Sequence, residues 1–289
     1  MIPALLGAAA LWGINSVDNA KNKFRNANEI NSQAAKIANA AKLEVDKIND
    51  KMNESLDTLG KTELRIMSGN VERFVNMMSK IYENFEFRRN QSGLEKLERM
   101  GFRKAVIDEL HQITNKAIAL GATSGLNALE GCSYSAVGLL GSAVLGVVAA
   151  PAMLIYGLMK SDEAEAALYE ARSRLDEARL YEQRCKNLCV LFEAISTRSR
   201  MLNGLVVDLD SYLSRAVKDV EDIVSRRGFD FDSYSEYEEL AVYYAYQITN
   251  TVKILIETPI VQKDWSINPQ FEDSLEIGQK NIGMLREFN

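Results

Sequence analysis

The spacing of apolar residues in the first third of the chain predicts one long amphipathic helix. From Asp18 the sequence is polar, and its apolar positions recur at steps of three and four residues in a pattern that repeats after eleven. These positions are Ile37, Ala41, Val45, Ile48, Met52, Leu56 and Leu59. Residues spaced in this way lie along one face of a nearly straight helix. The pattern therefore predicts a rod that buries one face.

The apolar stripe weakens at residues 60–63 and then resumes with larger side chains. The later positions are Met67, Val71, Phe74, Met78, Ile81 and Phe85. Larger side chains on the buried face are typical of a helix in a thicker bundle. Residues 88–93 (RRNQSG) predict a turn, and apolar residues between Leu94 and Ile113 predict a further helix.

A second amphipathic arm is predicted after Lys160, where the chain becomes charged. Its apolar positions follow heptad a and d spacing with one polar member, Glu182. They are Leu168, Ala171, Leu175, Ala178, Cys185, Cys189 and Phe192. We expect this arm to pair with the first and to end at Arg227. A helix beginning near Asp232 and ending before Pro259 should follow, and then a loop and a short helix.

The middle of the chain is apolar and rich in glycine. Residues 117–159 contain a single charge, Glu130, and seven glycines, and residues 137–159 contain no charge. A stretch of that length can span a bilayer with some tilt. Small residues recur at four-residue intervals and form a ridge that lets helices approach closely. This ridge consists of Gly138, Ser142, Gly146 and Ala150. Gly121 and Gly125 have the same four-residue spacing upstream.

The geometry expected for this segment is a helical hairpin with Glu130 at its polar tip and a kink at Pro151. Carrying one carboxylate across a bilayer costs roughly 2–4 kcal/mol, which a hairpin this apolar could offset. Two alternatives remain open: insertion into a membrane, or a buried helix pair sheathed by the two arms. Residues 1–17 also carry no charge, and they predict either a helix end packed on its own protein or a membrane-contacting helix.

Taken together, these patterns predict an all-α protein, an elongated helical bundle of long coiled-coil-like helices around a Gly/Ala-rich apolar hairpin. The predicted parts are an apolar N-terminal helix, a first amphipathic arm, the hairpin, a second arm and an acidic C-terminal helix with its tail. Their boundaries are residues 1–17, 18–116, 117–159, 160–227 and 228–289.

Charge and cysteine content exclude several classes of protein. The net charge is −6, and residues 228–289 carry eleven acids against four bases, so the rest of the chain is nearly neutral. No basic patch suited to nucleic acid is present. The three cysteines do not imply a disulfide framework and fit a reducing compartment. Cys185 and Cys189 are interpreted as buried helix cysteines, since a structural zinc site needs four ligands.

No catalytic motif is recognisable in the sequence. Phosphate-binding loops, dinucleotide-binding glycine patterns, nucleophile elbows and the HExxH zinc motif are all missing. Any histidine-dependent nucleophile would have to be built around His111, the only histidine. We therefore expect no enzyme activity, no cofactor and no metal.

The order of these parts resembles a family of bacterial coiled-coil proteins of uncharacterised function. The stretches that carry the resemblance are LLGAAALWG, INSQAAKI, LGKTELRIM, GVVAAPAMLIYGLMKSDEAEAAL and IETPIVQKDWSINPQFED. The layout is also similar to that of the cytolysin A class of α-helical pore-forming proteins. That similarity implies an apolar hairpin held between long helices until it is released at a membrane, and it assigns no individual residue.

The sequence thus leads to one functional hypothesis and one alternative. The hypothesis is a membrane-associating protein, pore-forming or scaffolding, that binds lipid or self-associates into a homo-oligomer through its hairpin. Its expected location is cytoplasmic, with association to the inner membrane. The alternative is a soluble coiled-coil adaptor that keeps the hairpin buried and offers its acidic tail to a protein partner.

Overall fold

The structure, a computed structural model, describes residues 4–122, 161–262 and 266–287, with side chains described for 19–119, 163–262 and 266–285. These residues form an all-α helical bundle. The elements are α1 (Ala4–Ile66), a π-helix (Met67–Val71), α2 (Glu72–Phe87), α3 (Gln91–Arg99), α4 (Lys104–Ala122), α5 (Ser161–Arg227), a 3-10 turn (Phe231–Ser233), α6 (Glu236–Glu257) and α7 (Gln270–Glu287). Two compact units divide this chain, and α1 and α5 contribute to both.

Unit 1 consists of the first parts of α1 and α5, up to Lys51 and Ala194. The two helices run in parallel, because Lys23 pairs with Glu165 and a groove further along brings Lys36 together with Glu182. Their shared seam is made mainly of alanine. The buried alanines are Ala27, Ala34, Ala38 and Ala41 on α1, and Ala164, Ala171 and Ala178 on α5.

Unit 2 contains the rest of the described chain, from Met52 on α1 and from Ile195 on α5. It is built from two helical hairpins. In the first, α2 turns through α3 into α4, which packs along α2 and on the π-helix. In the second, the end of α5 turns into α6, and α7 packs along α6. Among the described residues the one β contact is an isolated bridge between Val261 and Ile267.

Local chemistry explains where the hairpins turn. Gly101 (φ +90°) and Gly228 (φ +72°) take left-handed conformations just beyond α3 and α5, where a side chain would be strained. Asn90 caps α3 by accepting the Gly93 amide at 3.0 Å. Ser235 and Glu238 form a reciprocal capping box at the start of α6. The sequence placed that start near Asp232, which instead belongs to the short 3-10 turn.

Burial confirms the apolar stripes in outline but corrects their period. Met67, Val71, Phe74, Met78, Ile81 and Phe85 are all buried, as predicted. On α1, however, Ile37 and Ile48 are only half-buried. The buried positions there repeat every seven residues rather than eleven: Ala38, Val45, Met52, Leu59 and Ile66.

The π-helix shifts the phase of the apolar stripe by one residue. The seven-residue series on α1 reaches Ile66 and resumes at Phe74, which is eight residues later. A regular helix would therefore turn its apolar face away from the core after Ile66. The π-helix absorbs the extra residue, and the amide of Glu72 donates to the carbonyl of Met67 five residues earlier. The weak point at residues 60–63 lies before this shift: the helix is not interrupted there, and Gly60 and Glu63 are buried.

Replacing Gly93 with alanine should destabilise unit 2. A Cβ atom at this position would overlap the ring of Phe85, which is fully buried. We expect a loss of about 1–3 kcal/mol in the free energy of unfolding, measured by urea denaturation.

The matched control is Gly204→Ala on α5, where a Cβ would meet nothing within 4 Å. There the better helix propensity of alanine should stabilise the protein by about 0.5–1 kcal/mol. Equal stability of the two variants would contradict the packing described for Gly93.

Candidate functional site

Most residues predicted to form the membrane or assembly surface lie outside the described residues. Gly121 lies in the last turn of α4. The others, Gly125, Glu130, Gly138, Ser142, Gly146, Ala150 and Pro151, are not among the described residues. The structure does describe the two helices that flank this segment, α4 before it and α5 after it.

One end of unit 1 contains the start of α5 and leads into the N-terminal part of α1. The pairing of Lys23 with Glu165 (3.1 Å) aligns the two helices, and α5 begins at Ser161, only four residues before Glu165. The uncharged residues 137–159 join α5 at this point through Lys160. At the same end α1 continues beyond Lys23 back to Ala4, a length of about 28 Å that includes the uncharged residues 4–17.

Within the part of the chain that the structure describes, none of the helices combines the length and apolar character needed to cross a bilayer.

A groove between the helices of unit 1 has a volume of about 280 Å³. It is lined by Lys36, Ile37, Ala40, Ala41, Glu44, Glu182, Cys185 and Lys186. Its rim mixes both signs of charge, and Lys186 is already bound to Glu182 at 2.7 Å. The groove arises because the small side chains of the seam do not fill the space between the two helices.

The cysteines on α5 behave as the sequence indicated. Cys185 and Cys189 are free thiols in the buried seam, and burial raises the pKa of each. A raised pKa keeps a thiol protonated and unreactive at neutral pH. Among the described residues no group of three or more metal-ligating side chains is assembled.

A buried carboxyl group lies one turn before the π-helix. Glu63 is only 5% exposed, and its Oε1 atom has no hydrogen-bond partner. Burial raises the pKa of this carboxyl well above its usual range. Glu63 is therefore an unpaired acid inside the bundle, which costs stability whenever it ionises.

Glu63 was not predicted from the sequence, because it lies in residues 60–63, where the apolar stripe weakens. A signal was present: Glu63 lies four residues after Leu59 and four before Met67, both of which are buried. A single acid at a position that the helical period assigns to the core is the pattern expected of a buried titratable group.

A polar cluster holds the π-helix against α5. Asn70 donates its side-chain amide to Asp210 at 2.8 Å, and Arg65 lies 3.3 Å from the same carboxylate. Asp210 is itself buried. Arg73 binds Glu221 through two N–H groups, at 2.8 and 2.5 Å, and donates to the side-chain oxygen of Asn70 at 3.1 Å. The network joins α1, the π-helix and α2 to one face of α5.

Part of the acidic charge of the C-terminal region is paired inside unit 2. Five of its acids are bound to bases within unit 2. The pairs are Asp230 with Arg88, Glu238 with Arg226 and Arg227, Glu239 with Lys96, Glu257 with Lys253, and Glu272 with Arg198. These contacts use much of the negative charge to hold the bundle together.

Glu238 and Glu239 require a correction. They are consecutive acids on α6, a pattern that by spacing alone predicts a solvated helix face. Both are buried instead, because Glu238 closes the capping box at Ser235 and Glu239 reaches Lys96 on α3. The backbone amide of Ser235, together with its hydroxyl and the nearby guanidinium groups, lowers the pKa of Glu238.

No known protein family, curated protein or solved structure matched this chain when it was compared with each of them.

The buried carboxyl gives the protein a distinctive dependence of stability on pH. Because burial raises the pKa of Glu63 in the native state, the native protein holds this proton more tightly than the unfolded chain does. The Glu63 contribution is therefore fully favourable below the unfolded pKa and is lost as the pH rises through the native pKa. Glu63→Gln should remove this loss and be more stable than the wild type by about 1–3 kcal/mol at pH 8.

Urea unfolding at pH 4.5 and pH 8 measures this effect. Glu54→Gln is the matched control, since Glu54 is an exposed acid on the same helix. A stability difference between wild type and Glu63→Gln that does not change with pH would show that Glu63 does not titrate as described.

Proposed function

We propose that this chain is a membrane-associating helical protein that acts through insertion or packing of residues 117–159. The observation that carries the proposal is the parallel alignment of α1 and α5 in unit 1, which brings residues 4–17 and the attachment point of residues 137–159 to the same end. Two uncharged stretches that attach to one end of a helix pair favour a shared environment that excludes water.

The charged residues that follow these stretches include basic ones. Lys21, Lys23 and Arg25 follow the first stretch after Asp18, and Lys160 follows the second before Asp162 and Glu163. Basic residues at the ends of apolar segments favour the headgroup region of a bilayer, particularly beside anionic lipid. The basic residues therefore mark the level at which the apolar end would meet the membrane surface.

Self-association through the small-residue ridge at Gly138, Ser142, Gly146 and Ala150 completes the proposal. In lipid, close packing of small residues takes the place of the hydrophobic effect in joining helices. The proposed assembly is a homo-oligomer that forms a pore or a scaffold at the inner membrane of a bacterial cell. The chemistry is binding and packing, without an enzymatic step.

The adaptor alternative receives less support from the bundle. It relied on the acidic tail as a docking surface, and several acids of that tail are bound inside unit 2. The adaptor alternative differs from the membrane proposal in keeping the hairpin buried in the core. A test of lipid binding therefore distinguishes the two hypotheses.

Placing a charge in the uncharged segment tests lipid association. We expect Leu145→Arg to lower the fraction of protein that floats with phosphatidylglycerol vesicles by about 100-fold, since arginine at the centre of a bilayer costs roughly 2.5–3.5 kcal/mol. The control is Leu180→Arg, because Leu180 lies exposed on α5 (55%) and should tolerate the change. Equal flotation of both variants would favour the adaptor.

Blocking the ridge tests assembly separately from binding. Gly146→Ile should still float with vesicles but should release an entrapped dye at least about tenfold more slowly, because a branched side chain separates the helices. Gly204→Ile, at an exposed helix position, serves as the control. Dye release that is unchanged by Gly146→Ile would exclude this ridge as the assembly seam.

A further inference from the structure

The face of α5 that points away from the seam of unit 1 is nearly uncharged. Its positions recur at steps of four and three residues from Tyr169 to Val190, and all seven are exposed. Asp176 is the one charged residue among them. Three are large and apolar: Tyr169 (78% exposed), Leu180 (55%) and Val190 (67%). Residues at this spacing form an outer stripe along the helix, with the period of a coiled-coil seam.

The equivalent face of α1 has a different composition. Its outward positions from Asn26 to Asp50 are also exposed, but half of the eight are charged. These charged residues are Glu29, Lys36, Lys47 and Asp50. Such a face is typical of a helix that stays in water. The nearly uncharged outer stripe is therefore particular to α5 and does not follow from exposure alone.

Charged side chains border the outer stripe, as they border a coiled-coil seam. Three acids of this part of α5 are paired with bases of the same helix: Glu170 with Arg174, Asp176 with Arg179, and Glu182 with Lys186. Four exposed border residues are outside the ion pairs found among the described residues, namely Arg172, Glu177, Arg184 and Glu193. Two are bases and two are acids, so a partner that carries the same four charges can match them.

The outer stripe is complementary to a second copy of itself in the antiparallel orientation. When Ser173 of one copy lies opposite Val190 of the other, the helical period places each of the four border charges next to an opposite charge. The resulting pairs are Arg172 with Glu193 and Glu177 with Arg184. Two-fold symmetry makes each pair occur twice.

Charge also distinguishes the antiparallel orientation from the parallel one. The like-charged contact of the antiparallel pair joins Arg179 to Lys186, and each of these already has an acid on its own helix. A parallel pair in register would instead place Arg179 beside Arg184 and Glu165 beside Glu170. These two repulsive contacts outweigh the one attractive contact that the parallel pair offers within unit 1.

The area of the outer stripe indicates a reversible interaction. From Tyr169 to Glu193 the helix extends about 38 Å, and with a width of about 10 Å it offers about 400 Å² on each copy. Stable interfaces bury about 800 Å² on each partner. We therefore expect a weak dimer with a dissociation constant of roughly 10–100 µM.

We propose that the outer stripe of α5 is a self-recognition surface that joins two copies of this chain as an antiparallel dimer. The starts of the two α5 helices then lie about 60 Å apart, at opposite ends of the contact. Assembly in a membrane requires them on the same side. The dimer is therefore a separate interaction from the small-residue ridge, and it forms without lipid.

Cross-linking of single cysteines on the full chain tests the orientation. Ser173→Cys and Val190→Cys are each combined with Cys132→Ser, and the two cysteines of α5 are buried. The two variants carry tags of different mass and are mixed above the dissociation constant. A short bis-maleimide should join Ser173→Cys to Val190→Cys. It should not join Ser173→Cys to itself, since those two sites would lie about 25 Å apart.

Exchange of border charges tests the contacts themselves by sedimentation equilibrium. Glu177→Arg and Arg184→Glu should each raise the dissociation constant about tenfold, because each turns two attractive contacts into repulsive ones. The double variant restores these contacts with the signs exchanged and should return to within about threefold of the wild type. Lys47→Glu, on the outward face of α1, is the matched control and should leave dimerisation unchanged.

The outcomes separate the dimer from the membrane proposal. A wild type that sediments as a monomer throughout the expected range overturns the dimer, as does cross-linking of Ser173→Cys to itself or a double exchange that dimerises no better than the single ones. A dimer in buffer, together with a wild type that does not float on phosphatidylglycerol vesicles, supports the outer stripe and rejects the membrane proposal. Flotation of a chain that stays monomeric in buffer does the reverse.

Discussion

The seven-residue repeat of α5 is the constraint on which the rest of the bundle depends. Buried side chains recur along it from Ala164 to Val220 with no change of phase, so any partner helix must present its own apolar face at the same period. The facing helix meets this demand over most of its length. Where its sequence is one residue too long, the π-helix takes up the excess. The alternative would be to turn Phe74 and Ile81 towards water.

The same seam changes its character along the chain. In unit 1 it is made mainly of alanine and cysteine, which bury little apolar surface, with Val45 and Phe192 as larger members, whereas in unit 2 it contains leucine, methionine and phenylalanine. Unit 2 adds two hairpins and their ion pairs to this core. Some acids of the C-terminal region contribute to this, since their carboxylates bind arginine and lysine side chains of α3, α5 and α6.

Two features of the bundle lower the stability of the folded state. Glu63 is buried without a partner for one of its oxygens, and the π-helix beside it is less regular than the sequence on either side. Unsatisfied buried acids and π-turns both carry a cost, and α4 packs on the π-helix.

Much of the helical architecture follows from the sequence alone, because helices of this length are specified by local periodicity. The stripe from Met67 to Phe85, the end of the second arm at Arg227 and the buried cysteines could all be read from spacing. The uncharged character of residues 137–159, on which the proposed function depends, is likewise a property of sequence.

Tertiary structure decided what spacing leaves undetermined. The parallel direction of α1 and α5, the burial of Glu63, and the use of Asp210, Glu238 and Glu239 as internal partners depend on which residues distant in the chain become neighbours. Periodicity reports which face of a helix avoids water, but it does not report what that face meets. A carboxylate on such a face is therefore assigned to solvent or to the core only when the helices around it are in place.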